Sequence, residues 1–139
     1  MGLTYAEIIL ASGTDYGLYK SGRLSEEKVK QVAVKALVDS GAYMLVINEA
    51  IKRQLDLSVY ERREIILADG TIAECDIVGP VDVFFKTRAT TCRAIVFPGD
   101  CEALLGAIPI EDMDVLIDLK NNELVLQPER PYIAQTIVK

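Results

Sequence analysis

A chain of 139 residues, half of them hydrophobic, has the length of a single domain with one sizeable core. Its 15 basic and 21 acidic residues give a net charge of −6 with no basic cluster, which repels phosphate backbones and argues against nucleic acid as a partner. The chain has no histidine, so Ser-His-Asp and Cys-His catalysis and histidine-ligated zinc are removed, and hydrolytic chemistry must run on carboxylates or on a lysine.

No apolar run reaches the roughly 18 residues that suggest a membrane span. The N-terminal run has neither a basic leader nor a small-residue cleavage site, so a soluble, cytoplasmic protein with no membrane partner is expected. Cys75, Cys92 and Cys101 are widely spaced and form no Cys-x-x-Cys pair, which reads as reduced thiols and not as a disulfide framework or zinc knuckle.

In chain order, Leu3 to Ala11 predicts a strand and Ser12 to Gly17 a turn-rich break. Ser25-Glu26-Glu27-Lys28 can cap a short helix, but Val29, Val32, Val34, Ala36 and Val38 favour a long strand running into Asp39 and pairing with the first. A carboxylate at the end of a buried strand is costly unless it is hydrogen-bonded or shares a proton. Ser40 offers a hydroxyl and Gly41 allows close approach of a second backbone, although Asp-Ser-Gly taken alone is also an ordinary polar turn.

Tyr43 to Ile47 is a short apolar run, and Asn48 can cap a helix through Leu55 with Ile51 and Leu55 buried. Val59–Leu67 and Ile72–Val78 predict strands joined at Ala68-Asp69-Gly70-Thr71, a two-residue turn that sets Arg63 opposite Asp76 and Ile66 opposite Ala73. Gly79-Pro80 predicts a chain break, and Val81–Phe85 with Thr90–Phe97 a second hairpin. A second apolar run, Ala103-Leu104-Leu105-Gly106, precedes a short helix from Pro109 through Met113. Val115–Asp118 and Glu123–Leu126 end the strands, and the tail from Pro128 reads as peripheral. Glu111, Asp112, Asp114 and Asp118 bring metal ligation to mind, but their spacing favours a solvated helix end and strand.

The order Ala36-Leu37-Val38-Asp39-Ser40-Gly41-Ala42, then the Asp69-Gly70 hairpin, then Leu104-Leu105-Gly106 before a helix resembles the retropepsin-like aspartic proteases, retroviral-type and prokaryotic. The likeness is strongest over residues 29–125, with 1–28 as an N-terminal extension and 128–139 as a tail of one domain spanning 1–139. The resemblance implies a mostly β fold, a closed pepsin-like barrel half with one or two short helices, active as a homodimer. It implies Asp39, Ser40 and Gly41 as catalytic residues, and Ala42, Tyr43, Ile108 and a flap of Ala68, Asp69 and Gly70 as the substrate site. Leu104, Leu105 and Gly106 would support the Asp39 loop. Neither cofactor nor metal is implied.

In such a site two Asp39 carboxylates share one proton, one acting as base toward water and the other as acid toward a peptide carbonyl. Serine keeps the hydroxyl of the threonine more usual after the aspartate, Tyr43 replaces an acidic residue of the retroviral members, and Asp69 would add negative charge near the pair. Two function classes stay open: a dimeric aspartic endopeptidase of extended peptides, and a catalytically silent dimer that binds peptides in the same cleft or serves assembly.

Overall fold

The structure, a computed structural model, describes residues 2–138. Among them the order is β1 (Tyr5–Ser12), α1 (Gly13–Lys20), β2 (Gln31–Val38), β3 (Leu45–Asn48), α2 (Glu49–Leu55), β4 (Ser58–Ile66), β5 (Ile72–Phe85), β6 (Arg88–Phe97), β7 (Leu104–Leu105), α3 (Ala107–Asp112), β8 (Val115–Asp118) and β9 (Glu123–Leu126). The sheet runs β1-β2-β7-β3-β6-β5 and closes because β1 also pairs with β5, giving a six-stranded mixed barrel. The expected mostly β, closed architecture with few short helices is therefore present. No helix among the described residues is long and apolar enough to cross a membrane.

Alternation places the core. Ala6, Ile8 and Leu10 of β1, Ala36 and Val38 of β2, and Val81, Val83 and Phe85 of β5 point into one apolar cluster, while their neighbours face outward. α2 covers this cluster as its sequence predicts: the Asn48 side chain accepts from the Ile51 amide at 2.9 Å, and Ile51 and Leu55 are buried.

β5 is the strand that divides the molecule. Its second half pairs with β1 and closes the barrel, from Ile9 opposite Phe84 to Ser12 opposite Val81, whereas its first half pairs with β4 in a hairpin. Gly79-Pro80 is not a break, as the sequence suggested, but the bend between these halves within one 14-residue strand, where its pairing with β6 shifts by one residue. The first hairpin also differs in register. Leu67 N–H donates to the Thr71 carbonyl at 2.8 Å and Gly70 N–H to Leu67 at 2.9 Å, so the loop has three residues with Gly70 at φ +88°. That is a turn followed by a glycine bulge, one residue longer than the two-residue turn expected. The pairing accordingly moves by one: Arg62, not Arg63, faces Asp76, and Ile66 faces Ile72.

Four other segments depart from the sequence reading. Residues 13–20 form α1 and not a break, because the Ser12 side chain accepts from the Asp15 amide at 3.2 Å and starts a helix that two glycines had masked. Residues 26–28 take the short 3-10 turn that the sequence offered as the alternative, so β2 begins at Gln31. α3 starts at Ala107 after Gly106 and not at Pro109. Tyr5–Ser12, within the segment read as an extension, is a wall of the barrel.

The tail is tied down. Arg130 donates to both oxygens of Asp114 at 2.7 and 2.9 Å, the Gln135 amide joins them at 3.0 Å, and the buried Arg88 donates to the Arg130 carbonyl. These bonds, with the Arg130 charge, hold the Asp114 carboxyl well below the usual carboxylate range. Asp114 is thus the tail's anchor and not a solvated helix end.

Candidate functional site

β2 ends at Val38 and hands the chain to a loop, residues 39–44, braced at its start by the second apolar run and at Ala42 and Tyr43 by the first turn of α3. Leu37 pairs with Leu104 and Val38 with Leu105 in parallel, and the Asp39 amide continues that ladder to the Leu105 carbonyl at 3.0 Å. α3 then begins with two amides that have no partner inside the helix. Ala107 N–H donates to the Ala42 carbonyl at 2.8 Å and Ile108 N–H to Tyr43 at 3.1 Å, so the loop caps the helix and the helix fixes the loop. Gly106 makes this approach possible. A Cβ there would lie 2.7 Å from the Ala42 carbonyl oxygen and closer still to that of Met44.

Within the loop, the Asp39 carboxylate accepts from the Gly41 amide at 2.9 Å and its carbonyl from the Ala42 amide at 3.0 Å. Asp39 is half-buried, and Ser40, Gly41 and Tyr43 are exposed. The carboxylate is therefore oriented by its own turn and still open on one side.

That side is a groove of about 620 Å³, within the range typical of ligand sites. Asp39, Gly41, Ala42 and Tyr43 lie along it, and the β4–β5 hairpin supplies a facing stretch from Arg63 to Ala68. Between them Val46, Ile95, Phe97 and Leu104 make an apolar floor. The hairpin stands clear of the core, with every residue of β4 but Ile65 exposed. Its base is fixed by charge: Arg62 holds Asp76 at 2.7 Å, and Lys52 of α2 reaches the other Asp76 oxygen at 3.5 Å.

The site residues expected from the sequence fall into three groups. Asp39, Gly41, Ala42, Tyr43, Ala68 and Leu104 meet at the groove; Ser40, Leu105 and Gly106 flank it in the loop and its support. Asp69 and Gly70 form the hairpin turn without lining the groove. The Asp69 carboxylate accepts from the Thr71 hydroxyl at 2.7 Å and its amide at 2.9 Å, bonds that lower its pKa from the usual value. Ile108 does not line this groove but a neighbouring hollow, with Tyr43, Met44 and Pro109. Sequence reasoning missed the hairpin arm Arg63, Ile65 and Leu67 and the floor residues Ile95 and Phe97. The alternation of polar and apolar residues in both strands was the signal available.

No family model matches the chain, and neither does any curated protein. Among solved structures, the retroviral protease-like domain of Ddi1 from Leishmania major superposes with a TM-score of 0.57 at 20% identity, covering 92% of this chain and 90% of that one. The fold is retropepsin-like. For this retropepsin-like fold the superposition takes in nearly the whole length of both chains. Identity of this order establishes the architecture and not the chemistry.

Proposed function

We propose that the protein is a homodimeric aspartic endopeptidase, acting on extended, largely apolar peptides laid between the Asp39 loop and the β4–β5 hairpin. The observation that carries the reading is the Asp39 carboxylate, fixed by the Gly41 amide and open to an apolar groove beneath an exposed hairpin. One chain supplies one such carboxylate, so a second copy must bring its Asp39 alongside. The pair then holds a single proton.

The ionised carboxylate takes a proton from a water held between the two, and the water oxygen bonds to the scissile carbonyl carbon as the protonated carboxyl donates to the carbonyl oxygen. Collapse of the tetrahedral diol breaks the C–N bond, with a proton passed to the departing amine. Ser40, exposed beside Asp39, would join the two loops through its hydroxyl. The hairpin would hold the peptide backbone as an added strand and keep out bulk water. The unpaired thiols of Cys75, Cys92 and Cys101 support a cytoplasmic setting.

The test is hydrolysis of a peptide library by the wild-type chain and by Asp39→Asn. The amide is nearly isosteric but cannot carry the proton, so cleavage should disappear while circular dichroism and the thermal midpoint stay in place. Cleavage by both proteins would overturn the assignment. Binding of peptides by both without cleavage would favour a silent peptide-binding dimer of the same fold.

A further inference from the structure

A second concavity, of about 610 Å³, lies on the outer face of β5 and β6 and shares no lining residue with the Asp39 groove. Its floor is the outward set of β5, Pro80, Asp82 and Phe84, alternating with the inward Val81, Val83 and Phe85. α1 forms a wall. Gly13 sits so close to Pro80 that a Cβ would come within 2.9 Å, whereas a Cβ on Gly17 would meet nothing within 4 Å, so the glycine at the next turn leaves the groove open.

Asp82 is the unusual group here. It is only 6% exposed, and the hydroxyl of its cross-strand neighbour Thr91 donates to one carboxylate oxygen. Asp112, from the end of α3, lines the same groove. Among the described residues, neither carboxylate lies within ion-pair distance of a lysine or arginine. Burying a carboxylate without a cation is costly, and for Asp82 only the Thr91 hydroxyl offsets that cost among the described residues, while Asp112 stands exposed at the rim. Both groups also help to raise the Cys92 thiol, which burial pushes up to about 12, so they converge on one region. Tyr16 packs edge-on against Phe84 with ring centroids 5.1 Å apart, providing an aromatic surface beside the two acids. The Tyr16 ring already attracts a cation, with Lys20 Nζ at 6.0 Å.

These features select among cations. A hard divalent ion takes six or more oxygens, and no group of three or more acidic, cysteine or histidine side chains gathers among the described residues. A guanidinium fork prefers two parallel acceptors on one carboxylate, but Thr91 already engages one oxygen of Asp82. A point-like ammonium on an apolar stem suits one free oxygen beside aromatic rings. We propose that this groove binds a primary alkylammonium, a lysine side chain or a free amine of like length, with its charge at Asp82 and Asp112 and its stem along Tyr16 and Phe84.

Calorimetric titration of the full chain with Nα-acetyl-lysine N-methylamide and with pentylamine tests this. Saturable binding is expected, lost when the lysine is Nε-acetylated and weakened at least tenfold by Asp82→Asn and by Gly17→Leu. The second variant fills the groove yet keeps both acids, and an unchanged thermal midpoint verifies its fold. Asp39→Asn should bind as the wild type, which separates this site from the proposed peptidase. Binding of the lysine derivative alone assigns a peptide lysine as the ligand, and binding of both probes assigns the ammonium head itself. No saturation at millimolar probe, equal binding of the acetylated form, or wild-type affinity in Gly17→Leu would each overturn the proposal.

Discussion

Gly106 accepts no side chain, because the carbonyls of Ala42 and Met44 already occupy the space a Cβ needs. Both are backbone atoms of the loop that carries Asp39, so a methyl group there must push the loop itself. Gly106→Ala should cost roughly 1–3 kcal/mol in urea unfolding, the range for overpacking, and should lower any peptidase rate more than its effect on stability explains. Leu105, beside it and fully buried, should behave as plain core: Leu105→Ala is expected to cost about 2–5 kcal/mol. Asp69 gives a different expectation. Its carboxylate is turned onto Thr71, whose bonds lower its pKa, and it does not line the Asp39 groove. Asp69→Asn should therefore leave the pH–rate profile in place, and a moved upper limb would show that the charge does reach the Asp39 pair. At this scale the sequence was informative, since Asp39, Gly41 and Gly106 are all residues whose type answers a local need. Asp69 and Ile108, expected at the substrate site, do not line this groove of the single chain, since side-chain direction follows from turn length and helix start, which the chain's composition leaves open.

Among the elements, α1 and the β4–β5 turn show where local signals fail. Two glycines lower the helical propensity of residues 13–20, but Ser12 caps the segment and Gly13 fits against Pro80, so packing overrides propensity. In the hairpin, Asp-Gly fits both a two-residue turn and a three-residue turn ending in a bulge, and the difference of one residue reassigned Asp76 from Arg63 to Arg62. The C-terminal tail is the element whose attachment should depend on pH. Arg130 depresses the Asp114 pKa in the folded state, so its contribution is complete above the unfolded carboxyl value, about 4, and fades as pH falls below it. Protection factors of residues 127–137 against hydrogen exchange should therefore fall progressively as pH drops from about 4 towards the folded carboxyl value, while the barrel strands stay protected. Asp114→Asn should show the loosened tail already at neutral pH. Protection unchanged by either would mean that the tail is held by something other than Asp114.

For the whole molecule, the strand-rich character was legible because alternation reports burial directly, whereas the closed barrel and the meeting of the two apolar runs were expected only from the resemblance to the retropepsin-like proteases. The pairing of β1 with β5 was not, since one sequence carries no record of which distant strands meet. If the peptidase reading holds, sedimentation should find a dimer above micromolar concentration, and the rate should form a bell on the acid side of neutrality, both limbs belonging to the carboxylate pair. A rate rising steadily into alkaline pH would argue against a carboxylate mechanism. The double role of β1 has a further consequence, for the life of the unfinished chain. β1 is synthesised before either of its partners, and its edge toward β5 stays bare until β5 has been made; such an edge is a template for pairing between chains. Deleting residues 1–12 would leave β2 and β5 with the same bare edges permanently. Light scattering should then show concentration-dependent aggregates from the shortened protein under conditions where the full chain stays clear.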